Sequence, residues 1–301
     1  MLMTWDVFIQ QLCNGLVLGC IYALVSIGYT ITYGIIRLIN FAHNSIFMLS
    51  MYFALVSISM LMLPWWLAFI LVIIATAVMG VLTEKLAYHR LRNRGAPTST
   101  IKIAALGVSY LIDNVVIVIF SGRPKQFPGV EMLTAVFQVG PVRLQRTAII
   151  VPVVVIILLF GLMYFLNKTK PGLAMRAVSR DMEAARLMGI DVDKTISYSF
   201  AIGSGLAAVG AIFWGLRYPS ITPTVGSMPG MKSFIAAVIG GIGNIDGAVI
   251  GGMLIGMIEV MVVAFFPQLS SYRDVFSFCL LLIVLLIKPT GIIGEKVGDK
   301  A

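Results

Sequence analysis

The sequence predicts an all-α polytopic membrane protein of about 8–9 transmembrane helices, one of them short and either broken or re-entrant. Composition carries the first part of that expectation. Of 301 residues, 59% are hydrophobic and only 12% charged, with a mean hydropathy of +0.98, which leaves too little polar surface for a water-soluble domain. Spacing carries the second. Apolar runs close to the ~20 residues that cross a bilayer as a helix lie at 8–33, 45–63, 65–88, 101–120, 147–166, 195–216, 247–266 and 273–288. A ninth run, 231–245, is short and rich in glycine, and residues 1–301 read as a single transmembrane domain.

The N-terminus, MLMTWDVF, has no basic segment, and the apolar run after it is too long for the core of a signal peptide, so it reads as a retained first span. Gly15 and Gly19 are spaced for close helix packing. Cys13, Cys20 and Cys279 lie inside apolar runs and read as small buried hydrophobes without zinc or disulfide spacing.

Polar groups then gather from Arg37 to His43 without a true loop. Backbone and amides at membrane depth must face protein or water. Asn40 and His43 are therefore polar candidates for a translocation path or its inner gate, a satisfied cytoplasmic loop being the other reading. Pro64 makes a hairpin, the stretch 84–102 is basic, and His89 reads as a surface residue. Asp113 lies deep in an apolar run, where a carboxylate needs a partner or water. Ser121 to Gln145 is a long loop of mixed charge.

Lys168 to Asp191 is a charged island between two apolar runs, and it reads as a docking surface or as an amphipathic loop lying on the membrane surface. Pro171 and Gly172 end the incoming span. Met175, Val178, Met182 and Ala185 then line one helical face. Glu183 is placed to pair with Arg180 and Arg186, Ser179 to cap a second short helix, and Gly189 to stop it in a left-handed conformation.

Beyond the island, Ser204, Gly205, Ala207, Ala208, Gly210 and Ala211 give the next span a nearly bare face. Gly240, Gly241 and Gly243, followed by Asn244, predict a helix break that frees backbone groups of the kind transporters place around substrates. Glu259, in the middle of a span, either lines the path or locks two helices together.

Fifteen of the 22 Lys and Arg fall on one side if the 168–194 loop is cytoplasmic, which predicts an outside N-terminus and a cytoplasmic C-terminus. That use of basic residues makes a nucleic-acid reading unnecessary. Trp5, Trp65, Trp66 and Trp214 fall at outer ends, as an interfacial belt would. No GxxxxGK[ST] sequence, HExxH or Ser/His/Asp arrangement is present, so the chain does not read as an enzyme.

Several of these stretches resemble one family. Glu183-Ala184-Ala185 with Gly189 matches the first half of the EAA loop by which permeases of bacterial ABC importers engage their ATPases, although no Ile-x-Leu-Pro follows. Gly172 to Ile190 fits GxxMRAxxxDxxAAxxMGI, the form of the branched-chain amino acid (Leu/Ile/Val) branch, H-subunit type. Asn40-Phe41-Ala42-His43, the GRPKQFP run from Gly122 and the GGIGN run from Gly240 resemble the same family.

The resemblance implies an ABC importer permease fold in a bacterial inner membrane, working by alternating access. It implies ATPase docking through Arg176, Asp181, Glu183, Ala184, Ala185 and Gly189, and a path near Asn40, Phe41, His43, Gly240, Gly241, Gly243 and Asn244, with Asp113 and Glu259 as further intramembrane polar sites. The implied partners are a second homologous permease, two ATPase subunits and a periplasmic or lipid-anchored binding protein. No cofactor or metal is expected in this chain; ATP and Mg would belong to the ATPases. An ion-coupled amino acid carrier or channel acting alone, with Asp113 and Glu259 as coupling groups, is the alternative.

Overall fold

The structure, a computed structural model, describes residues 5–140 and 142–294. Lys296 and Lys300, counted above among the basic residues of one side, lie outside them.

Eight helical segments among the described residues are long and apolar enough to cross a membrane. They are α1 (Trp5–Ile36); α2 (His43–Leu55) with a π-helical turn to Met60; α3 (Trp65–Thr83), which continues through a π-helical turn, Glu84–His89, into α4 (Arg90–Asn93); and α5 (Thr98–Phe120). After the short α6 (Glu131–Thr134) come α7 (Thr147–Lys168), the two connecting helices α8 (Lys170–Arg180) and α9 (Met182–Leu187), and α10 (Val192–Arg217). The last spans are α12 (Ile245–Phe265) and α13 (Arg273–Ile287), the latter preceded by a 3-10 turn. Between α10 and α12 stands α11 (Ser227–Gly240), whose 14 residues rise only ~21 Å, short of the ~30 Å apolar core of a bilayer.

The bundle is organised around α1, which is buried over nearly its whole apolar length. Missing side chains decide its main contact. Gly15 faces Met257, Gly19 faces Met253 and Gly256, and Ala23 faces Gly252, so α1 and α12 run antiparallel with their backbones close. Gly28 and Gly203 meet where α1 crosses α10, and Gly80 brings α3 onto Ser204. The bare face expected on residues 204–211 is thus a packing surface. By contrast α5, α7 and α13 leave most of their apolar surface outside the bundle.

We call the end carrying α8 and α9 proximal and the end where α1 begins distal. At the distal end β1 (Lys125–Gln126) pairs antiparallel with β4 (Ser220–Ile221), and β2 (Val136–Val139) forms a hairpin with β3 (Val142–Gln145). Phe127 fills the space over Gly215 and donates its N–H to the Pro219 carbonyl at 2.6 Å. From there the chain runs without helix to Gly226, and Gly226 together with Gly230 in the first turn of α11 lies against Asn44 at the start of α2. The ninth run, 231–245, is helical through Gly240 and breaks only at 241–244, before α12 begins.

Trp214 corrects the expectation of a tryptophan belt. It packs against Tyr22, Phe47 and Tyr218 within the bundle, whereas Trp5 and Trp66 are exposed.

Candidate functional site

The proximal island folds as two short helices. α7 ends at Lys168, and Thr169, in extended conformation, caps α8 by accepting from the Gly172 N–H at 3.2 Å. Pro171 occupies the first turn, where no donor is needed. Gly172 lies against the Phe165 carbonyl and leaves no room for a side chain. Met175, Val178 and Ala185 are buried and fix the pair to the bundle.

Asp181 caps α9, its carboxylate accepting from the N–H groups of Glu183 at 2.9 Å and Ala184 at 3.0 Å. Ser179 does not serve as that cap. It remains inside α8, where its hydroxyl donates to the Arg176 carbonyl. The expected pairs of Glu183 with Arg180 and Arg186 are absent among the described residues, consistent with the little that exposed pairs gain over hydration.

Gly189 ends α9 as expected. At φ +83° it lets its own N–H reach the Arg186 carbonyl and the Ile190 N–H reach the Ala185 carbonyl, both at 3.0 Å, which is a complete Schellman stop. Arg176, Glu183 and Ala184 face outward, and so do Leu187 and Met188, 88% and 83% exposed. An apolar pair at the tip of a charged hairpin has the character of a contact surface.

The expected path residues occupy two places. Asn40 is buried, and its side-chain oxygen accepts from the Tyr88 hydroxyl at 2.9 Å and the Ala42 N–H at 3.1 Å, building the turn before α2. Phe41 is partly buried beside it. His43 is buried between α1 and α10, edge-on to Tyr29 with ring centroids 4.4 Å apart, and its Nε2 has no hydrogen-bond partner. Tyr29 donates to the Asn44 side chain. α2 thus begins inside the bundle rather than at its surface.

The glycine run is elsewhere, at the proximal turn between α11 and α12. Gly240 lies against Gly247, and Gly241, at φ +111°, lies against Gly291 and Gly294 of the C-terminal segment. Asn244 caps α12 through the Gly247 N–H and donates its amide to the Ile293 carbonyl at 3.1 Å. Gly243 comes near Gly34 at the end of α1.

Glu259 is buried in an ion cluster that joins four helices. It meets Lys232 of α11 at 2.8 Å and accepts from the Tyr22 hydroxyl of α1 at 2.8 Å, while Lys232 also meets Asp274 of α13 at 2.6 Å. Arg273 lies 3.5 Å from Glu259. Sequence reading missed Lys232; a lone lysine eight residues before the Gly240 break was the available signal. Asp113 is half-buried and faces the Ser45 hydroxyl of α2.

A family profile described as "Branched-chain amino acid transport system / permease component" matches residues 11–285. The chain belongs to this family. It is 38% identical to the high-affinity branched-chain amino acid transport system permease protein BraD of Pseudomonas aeruginosa over 97% of this chain and 98% of that protein. Two branched-chain permeases named LivH, from Salmonella typhimurium and Escherichia coli K12, are each 36% identical, with 97% of both chains covered. No solved structure matches. With eight apolar spans and permeases as its relatives, the chain is a multi-pass membrane protein.

Proposed function

We propose that this chain is the transmembrane permease of an ATP-driven importer of branched-chain amino acids in a bacterial inner membrane. The observation that carries the docking part is the α8–α9 hairpin, capped at each helix start, stopped at Gly189, and presenting Glu183, Leu187 and Met188 away from the bundle. One of two ATPase subunits would bind this tip, and the pair would supply the ATP and Mg chemistry. A second homologous permease would complete the path, and a periplasmic or lipid-anchored binding protein would deliver the amino acid at the distal end.

Mechanically, α8 abuts the end of α7 and packs on α1 and α10. A push on the hairpin would therefore reach the crossing of α1 and α10 at Gly28, Gly203 and His43, and switch the access of a path beside it. With the proximal end cytoplasmic, the N-terminus lies outside and the C-terminus inside, in agreement with the basic residues.

Mild-detergent purification from the native host tests this reading. Two P-loop ATPases and a second permease are expected to co-purify and to be lost on Glu183→Lys. A chain that emerges alone and transports in vesicles driven only by an ion gradient overturns it.

A further inference from the structure

A groove of about 390 Å³ runs along the outside of the bundle between α5 and the continuous helix formed by the Glu84–His89 turn and α4. Leu86, Arg90 and Arg94 recur every four residues along one wall. Ala104, Gly107 or Val108, and Leu111 do the same along the other, covering ~10 Å of helix. Small residues keep the floor open, and a Cβ added at Gly107 would meet nothing within 4 Å.

Charge is confined to one end of this groove. Arg92 points the other way, pairing with Asp193 at 2.6 Å and Glu84 at 3.5 Å, which also fixes this end as the proximal one. Arg90 and Arg94, one turn apart, open into the groove and make no ion pair among the described residues. The apolar walls continue away from them within the spans 65–93 and 98–120.

A small soluble anion would leave those walls without a partner, and an uncharged apolar ligand would leave the two guanidiniums unanswered. A ligand with an anionic head and an acyl chain answers both, because guanidiniums fork onto phosphate oxygens and the chain covers apolar surface. We propose that this groove binds one anionic phospholipid from the proximal leaflet, its phosphate between Arg90 and Arg94 and a chain running past Gly107 toward Leu111.

The test is native mass spectrometry of the chain with its partners, released from nanodiscs of phosphatidylcholine containing graded phosphatidylglycerol. Wild type is expected to retain phosphatidylglycerol in preference to phosphatidylcholine. Arg90→Gln with Arg94→Gln should weaken that preference by about thirtyfold, from two lost juxtamembrane charges. Arg90→Lys with Arg94→Lys should restore most of it, which separates a headgroup site from general damage. Gly107→Trp keeps both arginines but fills the chain's place, and should lower retention of either lipid, while inorganic phosphate should not displace the bound one. Equal retention of the two lipids by wild type, an undiminished preference in the glutamine variant, or displacement by phosphate alone overturns the proposal. So does disulfide cross-linking of Gly107→Cys to a second permease, which would make the groove a subunit contact.

Discussion

The ammonium of Lys232 and the carboxylate of Glu259 lie 2.8 Å apart, each almost wholly buried. Removing one member of such a pair leaves a buried charge uncompensated, typically at a cost of ~3–5 kcal/mol. Lys232→Met, which leaves the Glu259 and Asp274 carboxylates with only Arg273 among the described cations, at 3.5 and 3.8 Å, is therefore expected to lower the melting temperature and yield of the purified protein sharply. Lys232→Met combined with Glu259→Leu should recover much of the loss, since Asp274 keeps Arg273 nearby. Fluorescence-detected size exclusion after heating reads both.

Gly28→Ala is expected to disturb His43 directly. The new methyl would stand 2.7 Å from the His43 ring and from the Gly203 carbonyl, so α1 and α10 separate or the imidazole moves. Overpacking of this kind costs ~1–3 kcal/mol. If His43 lies on the path, amino acid uptake falls further than the amount of folded protein in the membrane does. Parallel losses of uptake and folded protein would make His43 a packing residue only.

Asp181→Ala removes the carboxylate that caps α9, worth ~1 kcal/mol, and Gly189→Ala strains its left-handed stop by a similar ~1 kcal/mol. Neither touches the buried face of the hairpin, so the bundle should remain intact. The expected result is normal membrane insertion with reduced recovery of ATPase partners, and the double substitution should be worse than either alone.

Asp191 caps α10, and the Lys194 backbone N–H, aided by the Lys194 ammonium, holds its carboxyl below the ordinary 3.8. A depressed value means that the contribution is full above that ordinary value and is lost only as pH falls through the lower one. Amide exchange in the first turn of α10 should therefore show no Asp191-dependent change between about pH 5 and 8. Protection relative to Asp191→Asn should be lost only as the pH falls below the ordinary carboxylate range.

Local patterns were legible in the sequence because their causes are local. Apolar run lengths gave the spans, the spacing of Met175, Val178 and Ala185 gave the anchored face of the hairpin, and Gly189 gave its stop. Ser179 was misjudged because serine and aspartate compete for the same cap, and only the extended backbone at Asp181 decides between them. Partnerships between distant residues were not legible. Glu259 is 237 residues from Tyr22, and nothing in the spacing of either announces the other. The Gly240 run shows the same limit, since a helix break is visible in sequence whereas the Gly291 and Gly294 backbone lying against it is not.

That last contact has a practical side. The Ile292 and Ile293 N–H groups bond the Ile239 and Gly240 carbonyls, so the tail after α13 is stitched beneath the elbow joining α11 to α12. An affinity handle fused downstream of residue 294 would tug on that elbow. Handles for purification or force spectroscopy are better placed before Trp5, where the first helix begins exposed.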